Sequence, residues 1–297
     1  MRIISQILAL TVWTSLWLLE STPVAMAQNA PLVSDPGQDR FEFCKHLYRQ
    51  ANNMQDPARR ADAYRGVIPR LRAYIDQFPN HANVQAAIYY LGECYYHSGS
   101  IEDAKRVLHG LINRYREGRY VALASNRLGY DDVAQKKYGQ AAIHFGRVAA
   151  MATTAQERHR GRYQEASCYR YAGHVDEAIR SYRMVELAED APSNYRENAK
   201  LRLGHLYLAK KQNDKALEKF EALMLPAVGA SLRIEATLNV GLLALQKKDV
   251  VMADRCFKAV LLSDQDKFKP NAQAALMNSM NGLMSSLLKG GKGGPLL

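Results

Sequence analysis

The sequence lacks the residue patterns on which most active sites and metal sites depend. None of its 8 histidines is paired at i, i+4 around a carboxylate base, so a metallohydrolase is not indicated. No serine lies in a Gly-x-Ser-x-Gly turn, and no glycine-rich phosphate loop occurs. The 4 cysteines lack zinc-ligand spacing. The sequence therefore predicts a protein that is not an enzyme and has no cofactor and no metal site.

Strand signals are also nearly absent. Tyrosine and valine recur every three or four residues rather than alternating with polar residues, which is typical of helices. With 47% apolar residues, the chain has ample material for a helical core. We therefore expect an all-α fold.

What is present is an internal repeat of small and bulky residues. Small residues 37, 37, 38 and 37 positions apart form one series, and a second series precedes it by twelve residues. A bulky apolar or aromatic residue follows each member of the first series by four positions, one helical turn later. A small residue facing a large one lets neighbouring helices approach closely, which predicts one helix pair per unit. The first series is Ala104, Ala141, Ala178, Ala216 and Ala253; the second is Gly92, Gly129, Ala166, Gly204 and Gly241; the bulky residues are Leu108, Phe145, Tyr182, Phe220 and Phe257.

This pattern resembles the tetratricopeptide repeat family. The landmarks Leu-Gly, Tyr, Ala and an apolar or aromatic residue occur in order in two units. In the other units, Asp132 replaces the tyrosine, Glu165-Ala166 replaces Leu-Gly, and Ala244 replaces an aromatic residue. The period also exceeds the usual 34 residues of the family. The resemblance implies a right-handed α-solenoid of helix hairpins with a C-terminal capping helix, and it implies a protein-binding role. The matching landmarks are Leu91-Gly92, Tyr95, Ala104 and Leu108 in one unit, and Leu203-Gly204, Tyr207, Ala216 and Phe220 in another.

The first residues predict export. Arg2 precedes an apolar run from Ile3 to Leu19, and Ala25-Met26-Ala27 is a small-x-small cleavage pattern. We expect a periplasmic or secreted protein; the alternative is an uncleaved N-terminal membrane anchor. The predicted segments are a signal peptide (1–27), a flexible tether (28–40), a divergent helix pair (41–80), five repeats (81–265), a capping helix (266–289) and a flexible tail (290–297).

Local signals predict turns, a helix break and buried thiols. Pro69 is expected to kink or split its helix.

Cys94 and Cys168 fall where other units have leucine and are two units apart, so we expect all four thiols to pack as small hydrophobic groups. In the last helix, Met277 and Met280 either cover the final repeat or form a docking surface. The predicted turns are Ser98-Gly99, Gly139, Gly173, Asn213-Asp214 and Lys248-Asp249.

The resemblance also implies that the first helix of each pair lines a concave groove. Its polar, tyrosine-rich amino-terminal half is suited to an extended peptide, and leucines such as Leu201, Leu238 and Leu242 make its other half apolar. The alternative is that the tyrosines pack against adjacent helices and the leucines meet the last helix. The predicted partner-binding residues are Tyr89, Tyr96, His97, Asn126, Tyr130, Arg160, Tyr163, Arg170, Tyr171, Asn198 and His205.

The net charge of +11 bears on the partner. We predict a scaffold of the cell envelope that binds a peptide segment or a partner protein in the groove. The alternative is a basic adaptor for an anionic polymer or a lipid head group, with peripheral membrane contact. Nucleic acid is not expected as a partner of an exported protein.

Overall fold

The computed structural model describes residues 35–290, and the side chains of residues 35–281. Within this range the chain forms thirteen α-helices and a short 3-10 turn, Asp266–Phe268, and no strand. None of these helices is long and apolar enough to cross a membrane. The predicted signal peptide, residues 28–34 of the predicted tether and residues 291–297 of the predicted tail lie outside the described residues. The helices are α1 (Pro36–Asn52), α2 (Pro57–Gln77), α3 (Val84–His97), α4 (Ile101–Arg114), α5 (Arg119–Ala134), α6 (Tyr138–Met151), α7 (Ala155–Tyr171), α8 (Val175–Glu186), α9 (Ser193–Ala209), α10 (Asn213–Glu221), α11 (Ala230–Gln246), α12 (Val250–Leu261) and α13 (Lys269–Gly290).

The helices pack as consecutive pairs that stack into an all-α solenoid, as predicted. The pair α1–α2 comes first, and five repeats follow, from α3–α4 to α11–α12. Each helix packs mainly against its neighbours in the sequence. The core is therefore a continuous seam between helices rather than a single central cluster.

Each repeat is held together by a bulky side chain that fills a notch in the facing helix. The bulky residue of the second helix lies sixteen positions after the small residue of the first. A Cβ atom added to Gly204 would lie 2.5 Å from the ring of Phe220, and one added to Gly92 would lie 2.5 Å from Leu108. This close approach confirms the interpretation of the two small-residue series. The five pairs are Gly92 with Leu108, Gly129 with Phe145, Ala166 with Tyr182, Gly204 with Phe220, and Gly241 with Phe257.

The turn inside each repeat has the same geometry in all five units. One residue adopts a left-handed conformation, with φ between 58° and 88°. The next N–H donates to a carbonyl five residues back, as from Ser100 to Tyr95 at 2.9 Å and from Lys137 to Asp132 at 2.8 Å. The left-handed residues are Gly99, Lys136, Gly173, Lys211 and Lys248.

Two of the predicted turns are wrong. Gly139 lies inside α6, and Asn213-Asp214 begins α10. The actual turns centre on Lys136 and Lys211, because packing of the flanking helices holds these lysines in a conformation that normally favours glycine.

The first helix begins earlier than predicted. Residues Pro36–Arg40, assigned to the tether, form the first turns of α1. Asp35 caps this helix by accepting hydrogen bonds from the N–H groups of Gly37 and Gln38, and Pro36 occupies the first helical position. The Asp35 carboxylate also lies 2.9 Å from His81 Nε2, which fixes the start of α1 against the first repeat.

Pro69 does not split its helix. The α2 helix runs without interruption through this residue. Val67 and Leu71 are buried on either side of the proline, so packing holds both halves in one helix despite the lost hydrogen bond.

The carboxy-terminal helix closes the end of the core and does not run along the groove. It packs on α12 and α11 through Ala272 and Ala275, in the same cluster as Phe257. Met277 and Met280 are exposed. The four cysteine thiols, in contrast, are each at most 4% exposed within the helical core, which confirms the prediction of burial.

The notch contact predicts the effect of a single methyl group. We expect Gly204→Ala to destabilise the protein by about 1–3 kcal/mol, because the methyl group overlaps the ring of Phe220. Thermal unfolding followed by circular dichroism measures this change. Gly110→Ala is the control: Gly110 is exposed in α4 with open space around its Cα, so alanine should stabilise the helix by up to about 1 kcal/mol. Equal stability of the two variants would contradict the notch contact.

Candidate functional site on the inner surface

The first helices of the repeats (α3, α5, α7, α9 and α11) approach one another at three of their four junctions. Helix α3 packs on α5, α7 on α9, and α9 on α11, whereas no comparable contact joins successive second helices among residues 35–290. A solenoid curves toward the side on which the helices of successive repeats lie closest together, so that side is concave. The first helices therefore line the concave side, and we call their solvent-facing side the inner surface.

Polar side chains connect neighbouring first helices across the inner surface. Arg127 of α5 donates two hydrogen bonds to Glu93 of α3, at 2.8 and 2.6 Å. In the next unit, at the equivalent positions, Gln164 of α7 donates to the Tyr130 hydroxyl at 2.5 Å. Side chains of the inner surface thus hold the repeats in register.

The Glu93–Arg127 pair is the most buried of these connections. The side chain of Glu93 is 5% exposed and that of Arg127 is 34% exposed. The hydrogen bonds to Glu93 raise the pKa of Arg127. The guanidinium also lies 4.9 Å from the ring centre of Tyr96, whose hydroxyl donates to Asp131 at 2.7 Å. Burial, followed by that hydrogen bond, raises the pKa of Tyr96 to about 12.

One junction of the inner surface is open. Helices α6 and α7 form the most extensive helix contact of the described chain, whereas α5 and α7 barely touch. Small residues permit the close approach: a Cβ atom on Gly161 would lie 2.9 Å from the backbone nitrogen of Ala149. Because α7 packs so closely on α6, it leaves a gap beside α5.

This gap is a cleft of about 780 Å³, which we call the α5–α7 cleft. Its volume is within the range of ligand-binding pockets. Apolar side chains including Leu123, Val148 and Met151 line it, together with Asn126 and the charged residues Glu117, Arg119, Glu157 and Arg160.

Buried polar atoms without a hydrogen-bond partner concentrate on the same two helices. Of the six such atoms among the described side chains, four belong to α5 and α7. Buried polar groups are normally paired, so unpaired groups call for an explanation such as water or a ligand. The four are Ser125 Oγ, Asn126 Oδ1, Gln164 Oε1 and Arg170 Nε.

Comparison with known proteins identifies the repeat. Residues 86–117, covering α3 and α4, match the family model of the tetratricopeptide repeat. The first repeat is thus similar to the tetratricopeptide repeat, as the sequence pattern predicted. A search of curated proteins found no match.

One solved structure agrees in fold, and two others are reported beside it. The C-terminal part of a TPR repeat-containing protein from Cytophaga hutchinsonii is 17% identical, with 80% of this chain and 95% of that chain covered and a TM-score of 0.54. A tetratricopeptide repeat protein from Parabacteroides merdae is 13% identical, with coverages of 82% and 99% and a TM-score of 0.32. The protein MamA, residues 41 to the end, from Desulfovibrio magneticus RS-1 is 17% identical, with coverages of 64% and 94% and a TM-score of 0.40. At its identity, the likeness to the Cytophaga hutchinsonii protein concerns the fold alone.

Most of the sequence-predicted groove residues contact neighbouring helices. Tyr89 packs against Tyr120 of α5, with ring centres 5.7 Å apart. The stacking of His97 on Tyr64, at 4.8 Å, connects the first repeat to α2. The other contacts between helices are Tyr96 with Asp131, Tyr163 with Tyr195, and His205 with Glu235. Arg170 and Asn198 instead contact residues of their own helices, Tyr171 and the carbonyl of Asn194.

Four of the predicted residues are exposed, and one of them is His97 of α3, whose side chain is 36% exposed. Tyr130 is 51% exposed and Tyr171 is 60% exposed. Arg160 is also exposed and lies at the α5–α7 cleft. Asn126 lines the same cleft but is half-buried. The structure therefore places three of these four exposed residues on α5 and α7.

The predicted apolar half of the groove is largely wrong. Leu201 and Leu238 are 1% and 5% exposed, because they pack between helices of the core rather than facing solvent. Leu242 is 37% exposed. The sequence gives no sign of this difference, since all three leucines occupy positions expected on the same face.

Sequence reasoning also missed the α5–α7 cleft. The sequence does contain an indication of this cleft, in three small residues at the α6–α7 contact that belong to neither repeating series. They are Gly146, Ala149 and Gly161. Such additional small residues indicate a closer helix contact than in other units.

The buried ion pair predicts a stability change. We expect Arg127→Ala to destabilise the protein by about 3 kcal/mol, because it leaves the Glu93 carboxylate buried without a counter-charge. The double variant Glu93→Leu with Arg127→Leu should recover at least half of that loss, since no buried charge remains. Urea unfolding of the wild type and the variants measures both effects. A double variant less stable than Arg127→Ala would contradict this account.

Proposed function

We propose that this protein is a non-catalytic scaffold that binds an extended segment of a partner protein along its inner surface. The observation that carries the proposal is the open junction between α5 and α7: a cleft lies between the amino-terminal parts of these helices, and each helix has an exposed tyrosine nearer its carboxyl end, Tyr130 and Tyr171. Elsewhere, contacts between neighbouring helices engage most of the predicted residues.

The exposed groups suit protein contact. Tyr130 and Tyr171 offer large, rigid surfaces with few rotatable bonds. The ring of Tyr130 packs edge-on against Phe145 at 5.2 Å, and Tyr171 lies 5.2 Å from Tyr138. Because the fold already orients both tyrosines, binding would order few side chains, which favours affinity.

We expect the double variant Tyr130→Ala with Tyr171→Ala to weaken partner binding at least about ten-fold, as loss of aromatic hot-spot residues does. Capture from an envelope extract with the immobilised full chain, followed by quantitative mass spectrometry, measures this change. A partner held by burial against the tyrosines should stay bound at about 0.5 M salt, where charge interactions are screened.

The matched control is Ile143→Ala, which removes a side chain that is 61% exposed on the second helix α6. It should leave capture unchanged. If the tyrosine variant captured the same proteins equally well, the inner surface would not be the binding site. If capture were lost at about 0.5 M salt, the alternative of a basic adaptor for an anionic polymer or lipid head group would be favoured.

We also propose that the scaffold acts outside the cytoplasm, in the cell envelope. The support is the apolar run from Ile3 to Leu19 followed by Ala25-Met26-Ala27. We expect the exported protein to begin at Gln28, as determined by amino-terminal sequencing of the protein from a periplasmic fraction. An uncleaved amino terminus in the membrane fraction would instead support the anchored alternative, and a cytoplasmic protein would contradict both.

A further inference from the structure

We propose that the α5–α7 cleft recognises an acidic side chain, flanked by an apolar residue, in the segment bound to the inner surface. This inference rests on the proposed function, and it adds the chemistry by which one part of the segment is selected.

Two arginines at the cleft have no carboxylate partner in the described part of the chain. Arg119 begins α5 and Arg160 lies in the second turn of α7, and both side chains are exposed. No carboxylate oxygen among the described residues lies within 4.0 Å of either guanidinium. Asp190, the acidic residue that pairs with nearby Arg158 at 2.8 Å, also contacts His159.

The two acidic residues at the cleft balance the formal charge of these arginines, but neither forms an ion pair with them in the described structure. Glu157 accepts a hydrogen bond from the Thr154 hydroxyl at 3.2 Å, and its own N–H donates to the same hydroxyl, so it belongs to the cap of α7. Glu117 is exposed in the preceding loop. A guanidinium binds a carboxylate through directed, charge-assisted hydrogen bonds, so the two arginines favour an acidic group over a basic one.

The start of α5 reinforces this preference. Gly118, at the N-cap position, provides no side-chain cap for the first N–H groups of this 16-residue helix. Gly118 and Arg119 both line the cleft. An acidic side chain placed there would meet the positive end of the helix dipole in addition to the two arginines.

The other residues that line the cleft explain why an apolar residue should flank the acidic one in the bound segment. Leu123, Val148 and Met151 form an apolar part of the cleft that a lone carboxylate would leave unfilled. Asn126 contributes an amide whose Oδ1 has no donor within the described protein. Buried polar groups are normally paired, so this oxygen calls for a donor such as water or an N–H group of a ligand.

The test uses an unbiased library of displayed 12-residue peptides, selected against the immobilised full chain. We expect the selected peptides to be enriched in Asp or Glu next to Leu, Ile, Met or Val. Their affinity should fall about ten-fold with Arg160→Gln or Arg119→Gln, which remove charge-assisted hydrogen bonds. Arg183→Gln is the matched control, because Arg183 is exposed on α8 and does not line the cleft. Thermal unfolding checks that each variant keeps its fold.

The outcomes separate the two proposals. Peptides that bind through Tyr130 and Tyr171 but show no acidic enrichment, or that tolerate both arginine variants, would overturn this inference and leave the proposed function in place. Peptides that bind independently of the two tyrosines, or a selection that yields none, would overturn the proposed function and the inference with it. Enrichment that disappears with Arg160→Gln and persists with Arg183→Gln would support both.

Discussion

The solenoid depends on one steric constraint, which is that the two helices of each repeat approach closely enough for a bulky side chain to enter a notch on its partner. In four of the five repeats the notch is a glycine, and in the third it is Ala166 facing Tyr182. The contact sets the spacing within each pair, and the left-handed turn residue sets the direction in which the chain returns. Because both features recur at the same interval, successive pairs stack with the same face inward.

The inner surface shows how a repeat protein assigns different tasks to equivalent positions. The position after the first small residue is Glu93 in one unit, Tyr130 in the next and His205 in the fourth. Glu93 forms a buried ion pair, whereas Tyr130 keeps half of its side chain exposed. The difference arises from the neighbouring first helix: α3 packs on α5, but α7 is drawn toward α6. Local helix spacing thus determines which residues remain accessible.

Much of the fold follows from local rules that act in every unit. The interlocking pairs and the burial of the cysteines depend on residue size at fixed spacing, so they could be predicted from sequence. The errors occur where packing overrides local preference. Lys136 and Lys211 adopt a conformation that usually favours glycine, and Pro69 does not split α2 because residues on both of its sides are packed. The start of α1 was misplaced because the capping role of Asp35 was not recognised.

The sequence by itself determined that the chain is helical, that its helices pair, and where each pair interlocks, because these properties depend on residues close together in the chain. Only the tertiary structure decided which inner residues are free to bind. Tyr171 and Leu201 both occupy expected inner positions, yet one is 60% exposed and the other 1%. Exposure depends on the distance and angle between helices of different repeats, and those depend on contacts such as Gly161 against Ala149 that belong to no single repeat.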